Sequence, residues 1–278
     1  MTARIAFQGE LGAYSHQACQ VARPGMEVLP CAAFEDVIEA VRSGEAELGC
    51  LAVENSTSGR VADVHRLLPN SGLHIVDEAF VRVRINLLGV PGAKLDQVRE
   101  AHGHVVILPQ CATFLKAHGI KGIVSSDNAK AAREVAEAGD PARAALASEI
   151  AAQIYGLDIL GKHIEDNDTN RTRFLIMSRT PDHRRRAEKT VTTLVFRVRN
   201  IPAALYKAMG GFATNGVNMT KLESYMVGGS FTATEFYTDI EGHPEDPAVQ
   251  RALEEARYFT SRLDILGVYP AAPDRAGL

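Results

Sequence analysis

Two rhythms of apolar residues alternate through the first 180 positions, and no other feature of the chain restricts its fold as much. Strand-like runs at Arg4 to Gln8, Glu27 to Leu29 and Leu48 to Val53 are separated first by a helical segment, Ser15 to Val21. The next separator is a stripe in which Phe34, Val37, Ile38 and Val41 fall at i, i+3, i+4 and i+7, with Ser43-Gly44 ending it. Strands alternating with helices at this interval predict a layered α/β domain on a mainly parallel sheet.

The pattern continues past a polar turn at Glu54 to Gly59. Val61, Val64, Leu67 and Leu68 repeat the helical spacing until Pro69 breaks it. Two extended runs follow, Leu73 to Phe80 and Val81 to Val90, and the second alternates Val83, Ile85 and Leu87 with Arg82, Arg84 and Asn86. They are expected to carry the chain from one lobe to another. Between Lys94 and Tyr155 the β/α alternation resumes, with a helix opening at Ser126 or Asp127 and stopping at Gly139. Thr172 to Ser178 reads as a strand.

Arg179 to Thr190 has no apolar periodicity and contains Pro181, the composition of a linker. Beyond it Thr192, Leu194, Phe196 and Val198 alternate as a strand, and Pro202 is placed to open a helix running to about Ala213. Val217 to Val227 and Ser230 to Ile240 flank Gly228-Gly229, a two-residue hairpin turn. Asp246-Pro247 caps a helix with apolar Val249, Leu253, Ala256 and Phe259, and Leu263 to Val268 closes as a strand. The order is βαββαβ, a ferredoxin-like module with a sheet edge free to pair with a second chain. The expected division is residues 1–180, a linker at 181–190 and a module at 191–278. Within the first part the lobes are about 1–79 plus 160–180, and 80–159.

Composition removes several function classes. With 46% hydrophobic and 23% charged residues the chain is an ordinary globular protein. A formal net charge of −4 gives no overall attraction to nucleic acid or to an anionic membrane. The basic run His183-Arg184-Arg185-Arg186 has no aromatic residues interleaved and reads as a solvated linker. No apolar run approaches the 18 residues of a membrane helix, and the strand at Ile5-Ala6-Phe7 leaves no signal-peptide core. Cys19, Cys31, Cys50 and Cys111 form no CxxC pair and are expected to be metal-free structural thiols. A cytoplasmic protein is expected.

Three polar segments sit where α/β sheets bind ligands. Gln8 to His16 has glycines for a tight turn and a helix opening at Ser15, whose free N–H groups suit a carboxylate. Asn55, Ser56, Thr57 and Ser58, closed by Gly59, crowd more neutral donors together than capping needs, as a polar anion site would. Asn170-Arg171-Thr172-Arg173-Phe174 brings cations and a hydroxyl into a strand. Glu165, Asp166 and Asp168 lack the ligand pattern of a hard cation, so no metal is expected. None of the nine histidines is given a role.

These segments, in this order and followed by a βαββαβ module, resemble prephenate dehydratase with its C-terminal ACT regulatory domain, over essentially the whole chain. The stretch from Tyr155 through Leu157, Leu160 and Asp166 to Thr172-Arg173-Phe174-Leu175-Ile176-Met177 is similar to the family signature at each spaced position. The resemblance implies a two-lobed catalytic domain like a type II periplasmic binding protein, with the site in the cleft. It implies that prephenate loses carbon dioxide and its ring hydroxyl to give phenylpyruvate, without a cofactor. It carries the catalytic threonine onto Thr172, with Arg173 and Phe174 beside it, and Ser15, Asn55, Ser56, Thr57, Ser58, Gly59 and Gln110 as substrate-binding residues.

Chemistry adds a reason for those residue types. The ring carboxylate must leave as neutral carbon dioxide, so an arginine clamped on it would stabilise the ground state more than the transition state. Arg173 is therefore expected to grip the pyruvyl carboxylate or to shape the loop, and Thr172 to donate to the departing hydroxyl.

The chain departs from the family in two places. The usual Ser-His-Pro-Gln segment reads Ala101-His102-Gly103-His104, with Gln110-Cys111 after a longer spacing. In the regulatory module Ala203-Ala204-Leu205-Tyr206 and Glu223-Ser224-Tyr225-Met226 replace Gly-Ala-Leu-Val and Glu-Ser-Arg-Pro. Leu205, Asn218, Glu223 and Ser224 remain as the implied phenylalanine site at an ACT dimer interface. A homodimer or homotetramer is implied. Arogenate dehydratase and a non-catalytic amino-acid sensor stand as alternatives.

Overall fold

The computed structural model describes residues 3–183, 188–226 and 233–277, and among these no helix is long and apolar enough to cross a membrane. The chain divides into two compact units, residues 1–65 with 79–175, and residues 66–78 with 176–278.

The first unit is α/β and carries two sheets. Its first sheet begins with β1 (Arg4–Gln8), α1 (Tyr14–Ala22), β2 (Glu27–Cys31), α2 (Phe34–Ser43) and β3 (Leu48–Asn55). β1 pairs in parallel with both β2 and β3, as helical crossovers require. β3 then folds back through β4 (Gly59–Arg60) before α3 (Ala62–Leu67). The polar segment at Asn55 is therefore the tip of an antiparallel hairpin, where a direct strand-to-helix turn was expected. β5 (His74–Arg82) and β11 (Arg171–Ser178) complete this sheet in the order β5-β11-β3-β1-β2.

The second sheet, ordered β10-β6-β9-β7-β8, is built from β6 (Asn86–Gly89), β7 (Glu100–His104), β8 (Lys121–Ser125), β9 (Arg143–Ala147) and β10 (Asp158–Gly161). Its helices are α4 (Ala112–Ala117), α5 (Asn128–Ala138) and α6 (Glu149–Tyr155). Both faces are buried. Leu87, Ala144 and Leu146 pack with Leu115 and Ile120 on one face, while Leu88, Ala145 and Ala147 pack with Ala131, Ala132 and Val135 on the other. α5 has the termini read from its sequence: Asp127 accepts from the N–H groups of Ala129 and Lys130, and Gly139 is left-handed at the far end.

The second unit contains β12 (Thr190–Val198), α7 (Ala204–Thr214), β13 (Met219–Met226), β14 (Ala233–Glu241), α8 (Pro247–Phe259) and β15 (Thr260–Pro270), the βαββαβ order. Leu194, Phe196, Ala208, Phe212 and Leu253 form its core. Strand order is β13-β14-β12-β15 followed by β5, with Gly267 paired to Ile75. A buried polar network joins Thr193, Asp239 and Tyr269, and Arg275 reaches both Asp239 and Glu78.

Two helix starts differ from expectation. α7 begins at Ala204, because Ala203 takes a left-handed φ of 61° and leaves Pro202 outside the helix. α1 begins at Tyr14 behind Ala13, which has no capping side chain. His16 reaches back beyond the cap, its Nδ1 accepting the Gly12 N–H at 3.1 Å. The Gly228-Gly229 turn and Arg184 to Arg186 of the basic run lie outside the described residues.

Candidate active site

Alternation along two adjacent strands decides what faces what. β3 ends in Glu54-Asn55 and β11 begins with Arg171-Thr172-Arg173, so consecutive residues of each strand point to opposite faces. On one face Asn55 Nδ2 donates to Thr172 Oγ1 at 2.9 Å and to Asn170 Oδ1 at 2.7 Å. On the other, Arg173 donates to Glu54 at 2.8 Å and is only 3% exposed.

The hairpin tip holds Asn55 in place. Its Oδ1 accepts from the N–H of Thr57 at 3.0 Å, the N–H of Ser58 at 2.9 Å and the Ser58 hydroxyl at 3.1 Å. Ser56 clamps the tip to the strand entry: its N–H donates to the Arg171 carbonyl, and its Oγ accepts the Arg171 N–H and donates to Thr169. Gly59 turns the hairpin with φ of 81°.

Gln110 comes from the loop after β7 and joins the same group. Asn170, 1% exposed, donates from Nδ2 to Gln110 Oε1 at 2.5 Å, and Gln110 Nε2 donates to the Val106 carbonyl at 2.8 Å. The Asp166 N–H donates to the Gln110 carbonyl at 2.6 Å, tying the loop down. Thr172, Asn55, Ser56, Thr57, Ser58, Gly59 and Gln110 therefore form one polar cluster.

Several candidates stand elsewhere or act differently. Phe174 is 1% exposed and is a core residue, presenting no surface to a ligand. Arg173 offers its charge to Glu54, which leaves loop shaping as the role its geometry supports. Ser56, Thr57 and Ser58 direct the donors named above inward onto Asn55 and the strand entry, so the tip cradles an amide where an open anion seat was expected. Ser15 lies in the first turn of α1, and among the described residues no hydrogen bond joins it to the cluster.

In the second unit Asn218 donates to Glu241 at 3.0 Å, Lys221 pairs with Glu223 at 3.3 Å, and Leu205 packs against the core. Glu223 and Ser224 alternate on β13, so they point to opposite faces of that strand.

Asn170 and Glu54 lie within the polar segments that the sequence marks, but neither is assigned a role there. Asn170 stands two residues before Thr172, on the same side of the chain by the period of two, and that spacing was the available signal.

Electrostatics here are quiet. Burial, with Asp166 and Glu165 nearby, pushes the Cys111 thiol up to about 12, so it stays protonated at neutral pH and is no nucleophile. Among the described residues no group of three or more His, Cys, Asp or Glu side chains could hold a metal ion. The cluster offers fixed amides and, at Thr172, a hydroxyl whose oxygen already accepts from Asn55, a set suited to binding a polar substrate and donating a hydrogen bond to a leaving oxygen.

The prephenate dehydratase family matches residues 5–182. A bifunctional N-acyl-homoserine lactone acylase/prephenate dehydratase of Komagataeibacter europaeus is 52% identical, the match covering 98% of this chain and 97% of that one. Arogenate dehydratase/prephenate dehydratase 1 of Arabidopsis thaliana is 38% identical, over 96% of this chain and 72% of its own length. The crystal structure of a prephenate dehydratase in complex with L-Phe from Arthrobacter aurescens superposes with a TM-score of 0.89 at 28% identity, covering 97% of this chain and 90% of that one.

Proposed function

The chain belongs to the prephenate dehydratase family, and on that premise we propose that the Asn55–Thr172 pair is where it acts. The protein is a carbon–oxygen lyase of aromatic amino-acid biosynthesis that converts prephenate to phenylpyruvate. Electrons of the bond to the ring carboxylate flow into the ring as carbon dioxide departs, and the ring expels its hydroxyl, which leaves as water once it has gained a proton. Aromatisation drives both bond cleavages.

The observation that carries the site assignment is the 2.9 Å bond from Asn55 Nδ2 into Thr172 Oγ1. Because the threonine oxygen accepts there, its own proton is available to the departing hydroxyl. The neutral surroundings suit the other leaving group. Arg173, which follows Thr172 in the strand, pairs with Glu54 on the opposite face, and no guanidinium is needed to hold the ring carboxylate that must become carbon dioxide.

Phenylpyruvate formation from fresh prephenate, corrected for acid breakdown, tests this. Thr172→Val should lower kcat by about a hundredfold or more, the effect of deleting one transition-state donor. Thr172→Ser should retain much of it. Near-normal turnover by a folded Thr172→Val would remove Thr172 from the mechanism. Arogenate belongs in a parallel assay that reads phenylalanine, the product its amino group dictates, since the Arabidopsis relative bears both names.

Regulation by phenylalanine is part of the proposal, supported by the Arthrobacter relative's complex. Leu205, Asn218, Glu223 and Ser224 of the second unit are its proposed contacts. The proposal includes a homodimer or homotetramer, supported by β13, which ends the strand order with no strand on its outer side among the described residues. A cytoplasmic setting fits the four free cysteines.

A second reading rests on the 52% identity to the Komagataeibacter relative, whose name includes N-acyl-homoserine lactone acylase. Release of homoserine lactone from an N-acyl substrate by the purified protein, followed beside dehydratase activity, decides it.

A further inference from the structure

We propose that Asn170 is a positioning residue whose side-chain amide, held in one orientation by a chain of hydrogen bonds fixed at both ends, aims the Thr172 proton at the leaving hydroxyl. The inference rests on the dehydratase reading and adds to it a residue and a direction.

A chain of amides can usually be written with every donor and acceptor reversed. Here both ends are backbone groups of fixed polarity. At one end the N–H groups of Thr57 and Ser58 can only donate, so the Asn55 atom facing them at 3.0 and 2.9 Å is its carbonyl oxygen. Asn55 Nδ2 must then face Asn170 and Thr172, donating to Asn170 Oδ1 at 2.7 Å and Thr172 Oγ1 at 2.9 Å.

At the other end the Val106 carbonyl can only accept, so the Gln110 atom facing it at 2.8 Å is Nε2. Gln110 Oε1 therefore faces Asn170 and takes its Nδ2 at 2.5 Å. Both ends demand the same orientation of Asn170. Oδ1 points to Asn55, and Nδ2 points to Gln110.

Three consequences follow for Thr172. Its oxygen receives the second hydrogen of the Asn55 amide, so that lone-pair direction is occupied. Its hydroxyl hydrogen is turned away from Asn55 and is left for the substrate. A donor into the oxygen also stabilises negative charge on it as the proton moves to the departing hydroxyl. Asn170 touches neither the threonine hydroxyl nor, by this assignment, the substrate; it fixes the group that does. Its own position is secured by the main chain, whose carbonyl accepts the Val83 N–H at 2.9 Å.

The test is the pH dependence of kcat for wild type, Asn170→Ala and Asn170→Asp, with thermal unfolding of each. Asn170→Ala should keep KM within about threefold while kcat falls by about a hundredfold, the signature of an interaction realised in the transition state. Asn170→Asp keeps the shape and discriminates orientation. Protonated, its carboxyl donates to Gln110 Oε1 and accepts from Asn55, restoring the chain; ionised, it has no hydrogen to give Gln110. Its kcat should therefore fall as pH rises through the carboxyl's titration, a limb absent from wild type. A pH profile for Asn170→Asp parallel to wild type, or an Asn170→Ala enzyme with kcat within twofold, would overturn the proposal while leaving the dehydratase assignment intact. A folded wild type that makes no phenylpyruvate would overturn that assignment, and the positioning role with it.

Discussion

Arg173 and Glu54 form a pair at 2.8 Å in which the guanidinium is 3% exposed and the carboxylate remains partly open to solvent. Removing one partner of a buried pair leaves the other uncompensated, which costs about 3–5 kcal/mol. Arg173→Ala should lower stability toward urea by about 3 kcal/mol, the low end because Glu54 keeps some water. Arg173→Ala with Glu54→Ala should lose less than the sum of the single changes, and an additive double-mutant cycle would dissolve the pair as a unit.

Arg275 holds two carboxylates, Glu78 at 2.8 Å and Asp239 at 3.2 Å, whose side chains are both fully buried. It also receives support from Thr220, accepting at 3.2 Å. Arg275→Ala should destabilise the second unit by about 3 kcal/mol or more in chemical denaturation. Arg275→Lys should recover only part, since a single ammonium cannot reproduce the two parallel bonds to Glu78.

His16 ties acid sensitivity to the first loop. Burial lowers its pKa from the ordinary 6.5, and its Nδ1 accepts the Gly12 N–H, a bond that protonation abolishes. Above pH 6.5 both folded and unfolded forms are neutral and the stability is fully present. As pH falls below 6.5 the unfolded chain takes the proton first, so stability drops until the lowered folded value is passed. Urea midpoints measured from pH 7.5 to 5 should fall more steeply for wild type than for His16→Gln, and the same slope in both would clear His16.

Gly12 combines a φ of 94° with a tight neighbour: a Cβ there would lie 2.9 Å from Ala151 Cα. Its carbonyl also accepts the Ser148 hydroxyl at 2.5 Å. Gly12→Ala should cost about 2 kcal/mol, strain and overpacking together. Calorimetry would register this as a lower Tm, and an unchanged Tm would show that α6 gives way freely.

The cysteines should be unreactive in the folded protein. Burial, aided by the charges of Asp36 and Glu45, raises the thiol pKa of the half-buried Cys31, and burial raises those of Cys50 and Cys111. A thiol-disulfide exchange reagent at pH 7 should label Cys31 slowly and label all four only after denaturation. Rapid native labelling of Cys111 would contradict its packing.

Much of this protein could be read from local sequence, because the signals involved span few residues. Asp127 and Gly139 bound α5 as written, since caps act over one turn. The βαββαβ order of the last eighty or so residues follows from alternation and helical stripes. The motif around Thr172 and the crowding of neutral donors at Asn55 are local signals too, and both point to the proposed site. The start of α7 turns on a left-handed alanine, which composition does not announce.

What the tertiary structure alone decided is which partners these side chains meet. The period of a strand tells that Thr172 and Arg173 face opposite ways, but not that β3 lies beside β11 to offer Asn55 on one face and Glu54 on the other. Those partners are more than a hundred residues apart in the chain. Sheet order is set by long-range packing of buried faces, which no local period records. It gave Arg173 a carboxylate, made Phe174 core, and joined Gln110 to Thr172 through Asn170 and Asn55. Residue types and faces are properties of the sequence; the direction of a proton is a property of the neighbours.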